Sequence, residues 1–176
     1  MKVTPVSPEC MKKVTGLATP SEFYWVLEHP APLAGMAYPS SSPWQTLAGE
    51  GFQSVVCLTD TTPRYDPNPL SVLLAAKFKD LYGGSYPDEP EKEQSALQDI
   101  VSAVRSEILL GRGVVVHCAG GTGRTGTVIA CTLRALGLPV ADVLDYMKRL
   151  NAARGKQPGW PESPWQMQQV KQWPAS

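Results

Sequence analysis

Gly113-Val114-Val115-Val116 runs straight into a glycine-rich stretch, His117 to Thr125, and then into a helical pattern that lasts to Ala135 and stops at Gly137. A short β-branched run bounded by glycine reads as a strand at the centre of a sheet. Strand, tight loop and helix in immediate succession carry the chain over its own sheet, which commits it to an α/β fold with a mainly parallel sheet. The remaining pattern agrees. From Glu91 to Leu110 the residues Leu97, Ile100, Val101, Val104 and Ile108 recur at helical spacing, and Gly111 and Gly113 close the segment. Ser54-Val55-Val56-Cys57-Leu58 reads as a second buried strand, and Ala141 to Leu150, begun by Pro139, as another helix. Ser42-Pro43-Trp44-Gln45 and Ser163-Pro164-Trp165-Gln166 carry the same start signal, Ser as N-cap, Pro at N1 and Gln closing a capping box. The first of these helices should end at Gly51 and the second near Trp173. Thr61 to Gly84 reads as a long surface excursion holding a short helix or strand.

A chain of 176 residues, 43% of them hydrophobic, is the size of one domain with a real core. The packed part opens at Phe23, so residues 23–176 are expected to form a single domain and the Pro-rich residues 1–22 an extension laid against it. Sixteen basic and sixteen acidic residues cancel, which argues against a nucleic-acid face but leaves room for a local basic pocket. There is no apolar leader behind Met1 and no run near the roughly 18 apolar residues of a spanning helix, so a soluble, cytoplasmic protein is expected. Cys10, Cys57, Cys118 and Cys131 make no C-x-x-C pair and the histidines are only His29 and His117, which suggests neither a zinc site nor a disulfide framework. Cys57 and Cys131 lie in apolar runs and read as buried small hydrophobes.

The glycine-rich stretch admits two readings. Gly121-Thr122-Gly123-Arg124-Thr125-Gly126 fits G-x-G-x-x-G, the dinucleotide pattern. That pattern belongs at the start of its fold, with an acid closing the next strand about 20 residues on. Here the loop comes late, and Asp142 and Asp145 fall in a helical pattern. A P-loop reading fails for want of its Lys. The second reading takes His117-Cys118, five residues, then Arg124-Thr125. A thiol attacks as thiolate, which a helix N-terminus and a nearby cation both favour. If Ala119, Gly120, Gly121, Thr122 and Gly123 curl above the sulfur, their N–H groups form an anion cradle, and Arg124 can grip two phosphate oxygens in a planar fork.

HCAGGTGRTG after a Val-rich strand resembles the active-site loop of the cysteine-dependent protein tyrosine phosphatases. Glu22 to Leu27, Leu33 to Pro39 and Val56-Cys57-Leu58-Thr59 are similar to the opening segments of the small atypical dual-specificity phosphatases, and the likeness covers roughly Phe23 to Trp173. It implies a central four- or five-stranded sheet flanked by helices and a phosphocysteine intermediate, with no metal and no cofactor. Cys118 would be the nucleophile and Arg124 the phosphate clamp. His117 would buttress the loop, and Thr125 would donate to the departing sulfur. A general acid must come from elsewhere. Asp88, in Tyr86-Pro87-Asp88 at the exit of an expected strand, is the candidate, with Glu89 as fallback and Asp60 as a weaker choice. Gln166 and Glu162, at the start of the last helix, would position the hydrolytic water.

Phosphotyrosine in a protein or peptide is the expected substrate, with phosphoserine and phosphothreonine allowed and a monomer expected. The absence of Lys between Cys118 and Arg124 weighs against a polyphosphoinositide. A phosphoinositide or RNA 5′-phosphate substrate, and a silent phosphoprotein-binding module, stay open as alternatives.

Overall fold

The structure is a computed structural model describing residues 1–174. After an N-terminal segment come β1 (Phe23–Leu27), β2 (Leu33–Met36), α1 (Trp44–Gly49), β3 (Phe52–Cys57) and β4 (Ser71–Ala75). Then follow α2 (Pro90–Leu109), β5 (Gly113–His117), α3 (Gly123–Ala135), α4 (Val140–Arg154) and α5 (Pro164–Gln172). The five strands form one sheet in the order β1-β2-β5-β3-β4, with β5 at its centre as its β-branched run demands. Only the β1–β2 pair is antiparallel; β2–β5, β5–β3 and β3–β4 are parallel.

Alternation along each strand divides the core. Val114 and Val116 join Leu33, Val56 and the inward residues of α2, α3, α4 and α5, while Val115 joins Val55, Ala34, Met36 and Trp44 on the α1 side. In α2 the buried residues are Leu97, Ile100, Val101, Val104 and Ile108, the set that its spacing selects. Helix α3 is more deeply enclosed, with eleven of its thirteen residues buried, because it passes between α2, α4 and α5.

The two Ser-Pro-Trp-Gln starts differ from the expectation. At α1 the N-cap is Pro43 and Ser42 stays outside the helix. At α5 Ser163 is the N-cap and Pro164 the first residue, but the serine makes no cap bond. Gln166 Oε1 instead accepts the N–H of Glu162, one residue before the cap, at 2.7 Å. The excursion from Thr61 to Gly84 holds β4, and the chain leaves that strand at Ala75. Tyr86-Pro87-Asp88 therefore does not follow a strand; it lies just before α2, after a long loop.

Candidate active site

Strand β5 ends at His117 and α3 begins at Gly123, so Cys118 to Thr122 bridge the carboxyl end of the central strand and the amino end of a long helix. This is the position at which open α/β sheets bind ligands. Gly121 sits at φ +74, and a Cβ there would come within 2.6 Å of the Met36 backbone, so both conformation and space require glycine.

The carbonyls of Cys118, Ala119, Gly120 and Gly121 each accept a hydrogen bond from a group beyond the loop. His117 Nδ1 donates to Cys118 O at 3.1 Å and the Tyr38 N–H to Ala119 O at 2.9 Å. Arg154 Nη2 donates to Gly120 O at 3.3 Å, and Gly121 O accepts from Tyr24 OH at 2.7 Å and from Arg154 Nη1 at 3.1 Å. A trans peptide carries its C=O and N–H on opposite sides. The N–H groups of Ala119, Gly120, Gly121 and Thr122 consequently turn away from those carbonyl partners, which leaves them available to an anion.

Two residues to which the sequence assigns no site role, Arg154 and Tyr24, do most of this holding. Arg154 is buried and also donates to Ser21 O at 2.8 Å, Pro20 O at 3.1 Å and Thr122 Oγ1 at 3.2 Å, while its guanidinium lies 4.4 Å from the centre of the Tyr24 ring. Burial pushes the Tyr24 phenol up, which keeps its O–H a donor to Gly121. The legible signal for Arg154 was a charge on the apolar stripe of α4, in line with Val143, Tyr146, Met147 and Leu150.

Cys118 is 2% exposed and lines a cavity of about 270 Å3 with the loop residues Ala119, Gly120, Thr122, Gly123 and Arg124. Asp80, Tyr82, Lys156 and Glu162 complete its polar rim. Arg124 Nη1 donates to Phe78 O at 3.3 Å, and its Nη2 is 3.8 Å from Asp80 Oδ2. Burial pushes the Glu162 carboxyl up and Asp80 adds to the rise, against Arg124 and the N–H of Gly123. Gln166 is buried and fixes Glu162 through its backbone rather than lining the cavity itself. The Gly84 N–H donates to Glu162 O at 2.9 Å, so the Asp80 loop and the start of α5 are tied together at the rim.

Asp88 is not in this cavity. Its carboxylate is 84% exposed, pairs with Lys79 Nζ at 2.9 Å and lines a separate crevice, as does Glu89, which pairs with Lys92 at 3.5 Å. Asp60 accepts from Thr59 Oγ1 at 3.0 Å and faces Arg64, also away from the cavity. The physical reason is the early end of β4, which brings Asp80 rather than Asp88 into the loop facing Cys118.

His117 is fully buried, bonded by Tyr65 OH at Nε2 and packed edge-on to Tyr38 at 5.1 Å. Cys57, opposite it on β3, is fully buried, as its apolar run predicts. Burial pushes its thiol up, but the neighbouring His117 ring, the Thr59 hydroxyl at 3.5 Å and nearby backbone outweigh that and bring it to about 6. Thr125 is buried and its hydroxyl makes no hydrogen bond, to the sulfur or to any other group among the described residues.

A family model described as a Swiss Army Knife protein, DSP-PTPase phosphatase domain, matches residues 20–157. The chain belongs to that family. Among solved structures it is similar to Tk-PTP in the active form at 25% identity, covering 79% of this chain and 88% of that one, with a TM-score of 0.54. Human DUSP28 shares 17% identity over 80% and 90% of the two chains, TM-score 0.59. PTPMT1, solved in complex with PI(5)P, shares 16% over 80% and 88%, TM-score 0.54. The five-stranded sheet with flanking helices is thus a DSP-PTPase fold, and the chain carries a phosphatase-type domain. The DSP-PTPase match includes Asp80, Cys118, Arg124 and Arg154 but stops short of Glu162, which lines the cavity with the loop, and of Gln166, which bonds its backbone. Among the described residues of this DSP-PTPase no helix is long and apolar enough to cross a membrane.

Proposed function

We propose that this protein hydrolyses phosphate monoesters of proteins, phosphotyrosine first, through a phosphocysteine intermediate. The observation that carries the reading is that Cys118, Arg124 and the loop residues between them line one cavity while the loop carbonyls are bonded to other groups, which leaves the amides of that loop available to an anion. Such a pocket suits a tetrahedral dianion. Cys118 thiolate attacks phosphorus, the S–P bond forms and the ester P–O bond breaks, and the leaving oxygen takes a proton from Asp80. Water then attacks phosphorus, its proton passes to Asp80, the P–S bond breaks and phosphate departs with the thiolate restored. Loop amides and Arg124 stabilise the equatorial oxygens in both steps. Thr125, with its buried hydroxyl unengaged, donates to the sulfur as it leaves. Glu162, on the rim and fixed by Gln166, orients the water.

Asp80 takes the role expected of Asp88 because it shares the cavity with Cys118 and faces Arg124. The pair of variants Asp80→Asn and Asp88→Asn tests this with a phosphotyrosine peptide. Asp80→Asn should slow turnover by about 10²–10⁴-fold and flatten the pH profile, the usual cost of losing a general acid. Asp88→Asn should leave both unchanged; the reverse result would return the role to Asp88.

A phosphoinositide is the second reading, favoured by Lys156, a cation on the cavity wall that the loop sequence did not disclose. Comparing a phosphotyrosine peptide with a soluble phosphoinositide at equal concentration decides between them by kcat/KM.

A further inference from the structure

Strand β4 is an outer edge of the sheet, and the chain just beyond it still bonds to the end of β3. The N–H groups of Ala76 and Phe78 face inward, donating to Cys57 O at 2.9 Å and Leu58 O at 3.1 Å. Extended backbone alternates, so the N–H and C=O of Ala75 and Lys77 face away from the sheet. The next in the series, the Lys79 N–H, is already taken by Glu93 Oε1 of α2 at 3.1 Å. Between this edge and the first turns of α2 lies a crevice of about 560 Å3, larger than the cavity over Cys118.

We propose that this crevice binds an extended, acidic stretch of the phosphoprotein substrate by strand addition to the Ala75–Lys77 edge, delivering the adjacent phosphoresidue to Cys118. The proposal rests on the phosphoprotein reading of the active site. Continuity supports it: the segment that walls the crevice runs on without a break into the catalytic cavity, where the Phe78 carbonyl accepts from Arg124 and Asp80 lines the wall. Charge supports it as well. Lys79 is paired with Asp88 and Lys92 with Glu89, and Glu93 accepts the Lys79 N–H, whereas Lys77 at the free edge has no ion-pair partner among the described residues and is the cation that a carboxylate flanking the phosphoresidue would meet. A strand added at this edge lies alongside α2, while a second copy would have to bring its own α2 beside its β4. Main-chain pairing supplies affinity in such grooves and side chains supply selectivity.

The test uses the full chain, as wild type and Lys77→Ala, with p-nitrophenyl phosphate, an acidic phosphotyrosine peptide, and the same peptide N-methylated at alternate flanking residues. The acidic peptide should show a lower KM than the aryl phosphate, and both N-methylation and Lys77→Ala should raise that KM by about tenfold, the worth of one or two hydrogen bonds or a desolvated charge contact. Turnover of p-nitrophenyl phosphate should be the same for both enzymes. Equal KM for the parent and N-methylated peptides would overturn strand addition and leave the phosphatase reading intact. Protection of the β4 amides from hydrogen exchange by dimerisation alone would assign the edge to a second copy and overturn it too. No turnover of any substrate by wild type would remove the phosphatase reading, and this proposal with it.

Discussion

Glu162 stands half-buried beside Asp80, and both burial and that neighbour resist its ionisation. With its folded pKa raised above the unfolded value, it favours the folded state while protonated, and this contribution is lost as pH rises through the folded value. Glu162→Gln should therefore raise Tm over wild type at about pH 7 and by much less at about pH 4. Thermal melts at the two pH values check this; an equal effect at both would show that desolvation of this carboxylate is not felt. A carboxyl kept at a proposed site at a cost in stability is a familiar trade-off. Reading such a residue from sequence has limits that depend on where its partners come from. Cys118, the glycines and Arg124 are consecutive, so their chemistry is written in one string. Asp80 becomes a partner of Arg124 only because β4 ends at Ala75, and Ser71-Val72-Leu73-Leu74-Ala75 has no alternation or turn signal to announce that boundary. Arg154 serves the loop from the far end of α4, and nothing near Cys118 in the sequence points to it.

At the level of elements, β1 and β2 meet the loop through the Met36 backbone against Gly121 and through Tyr24. Tyr24 pairs with Gly35 across the antiparallel ladder, and its ring lies over the glycine so closely that a Cβ would fall 2.2 Å from Tyr24 Cζ. Gly35→Ala should cost about 1–3 kcal/mol by overpacking, read from urea unfolding. It should also lower kcat/KM, since the displaced Tyr24 hydroxyl releases Gly121 O. Full activity with an undiminished unfolding midpoint would contradict this coupling. The elements themselves were largely legible where a period was long or a boundary sharp. Helix α2 and strand β5 come out within a residue of their expected bounds, because five inward apolar residues and a flanking glycine leave no alternative register. Caps were less so. The same Ser-Pro-Trp-Gln string caps with Pro43 in one place and Ser163 in the other, since the side chains around it, not the string, decide which group finds a partner.

Over the whole molecule, the N-terminal segment is fastened to the phosphatase body at several separated points. The Val6 N–H donates to Val26 O at 2.8 Å, Trp25 Nε1 to Lys12 O at 2.8 Å, and Arg149 of α4 grips Glu9 with Nε and Nη2 at 2.9 and 2.8 Å. The Arg149 guanidinium holds the Glu9 carboxyl down to about 2. A depressed folded pKa stabilises above the unfolded value and is lost as pH falls through the folded one, so this clasp should weaken in acid, between roughly pH 4 and 2. Glu9→Gln should speed hydrogen exchange at the Val6 amide at about pH 6, with little change in the helices; an unchanged Val6 rate would show that the clasp is not what holds the segment. The fold as a whole places Cys118 where strand, loop and helix meet, and the claim that this placement makes a nucleophile is the one on which the rest depends. Phosphate release from a phosphotyrosine peptide in excess EDTA, by wild type and Cys118→Ser, tests it most directly. Turnover by wild type alone, with phosphate binding retained by the variant, is the expected result; comparable turnover by both would contradict a phosphocysteine mechanism.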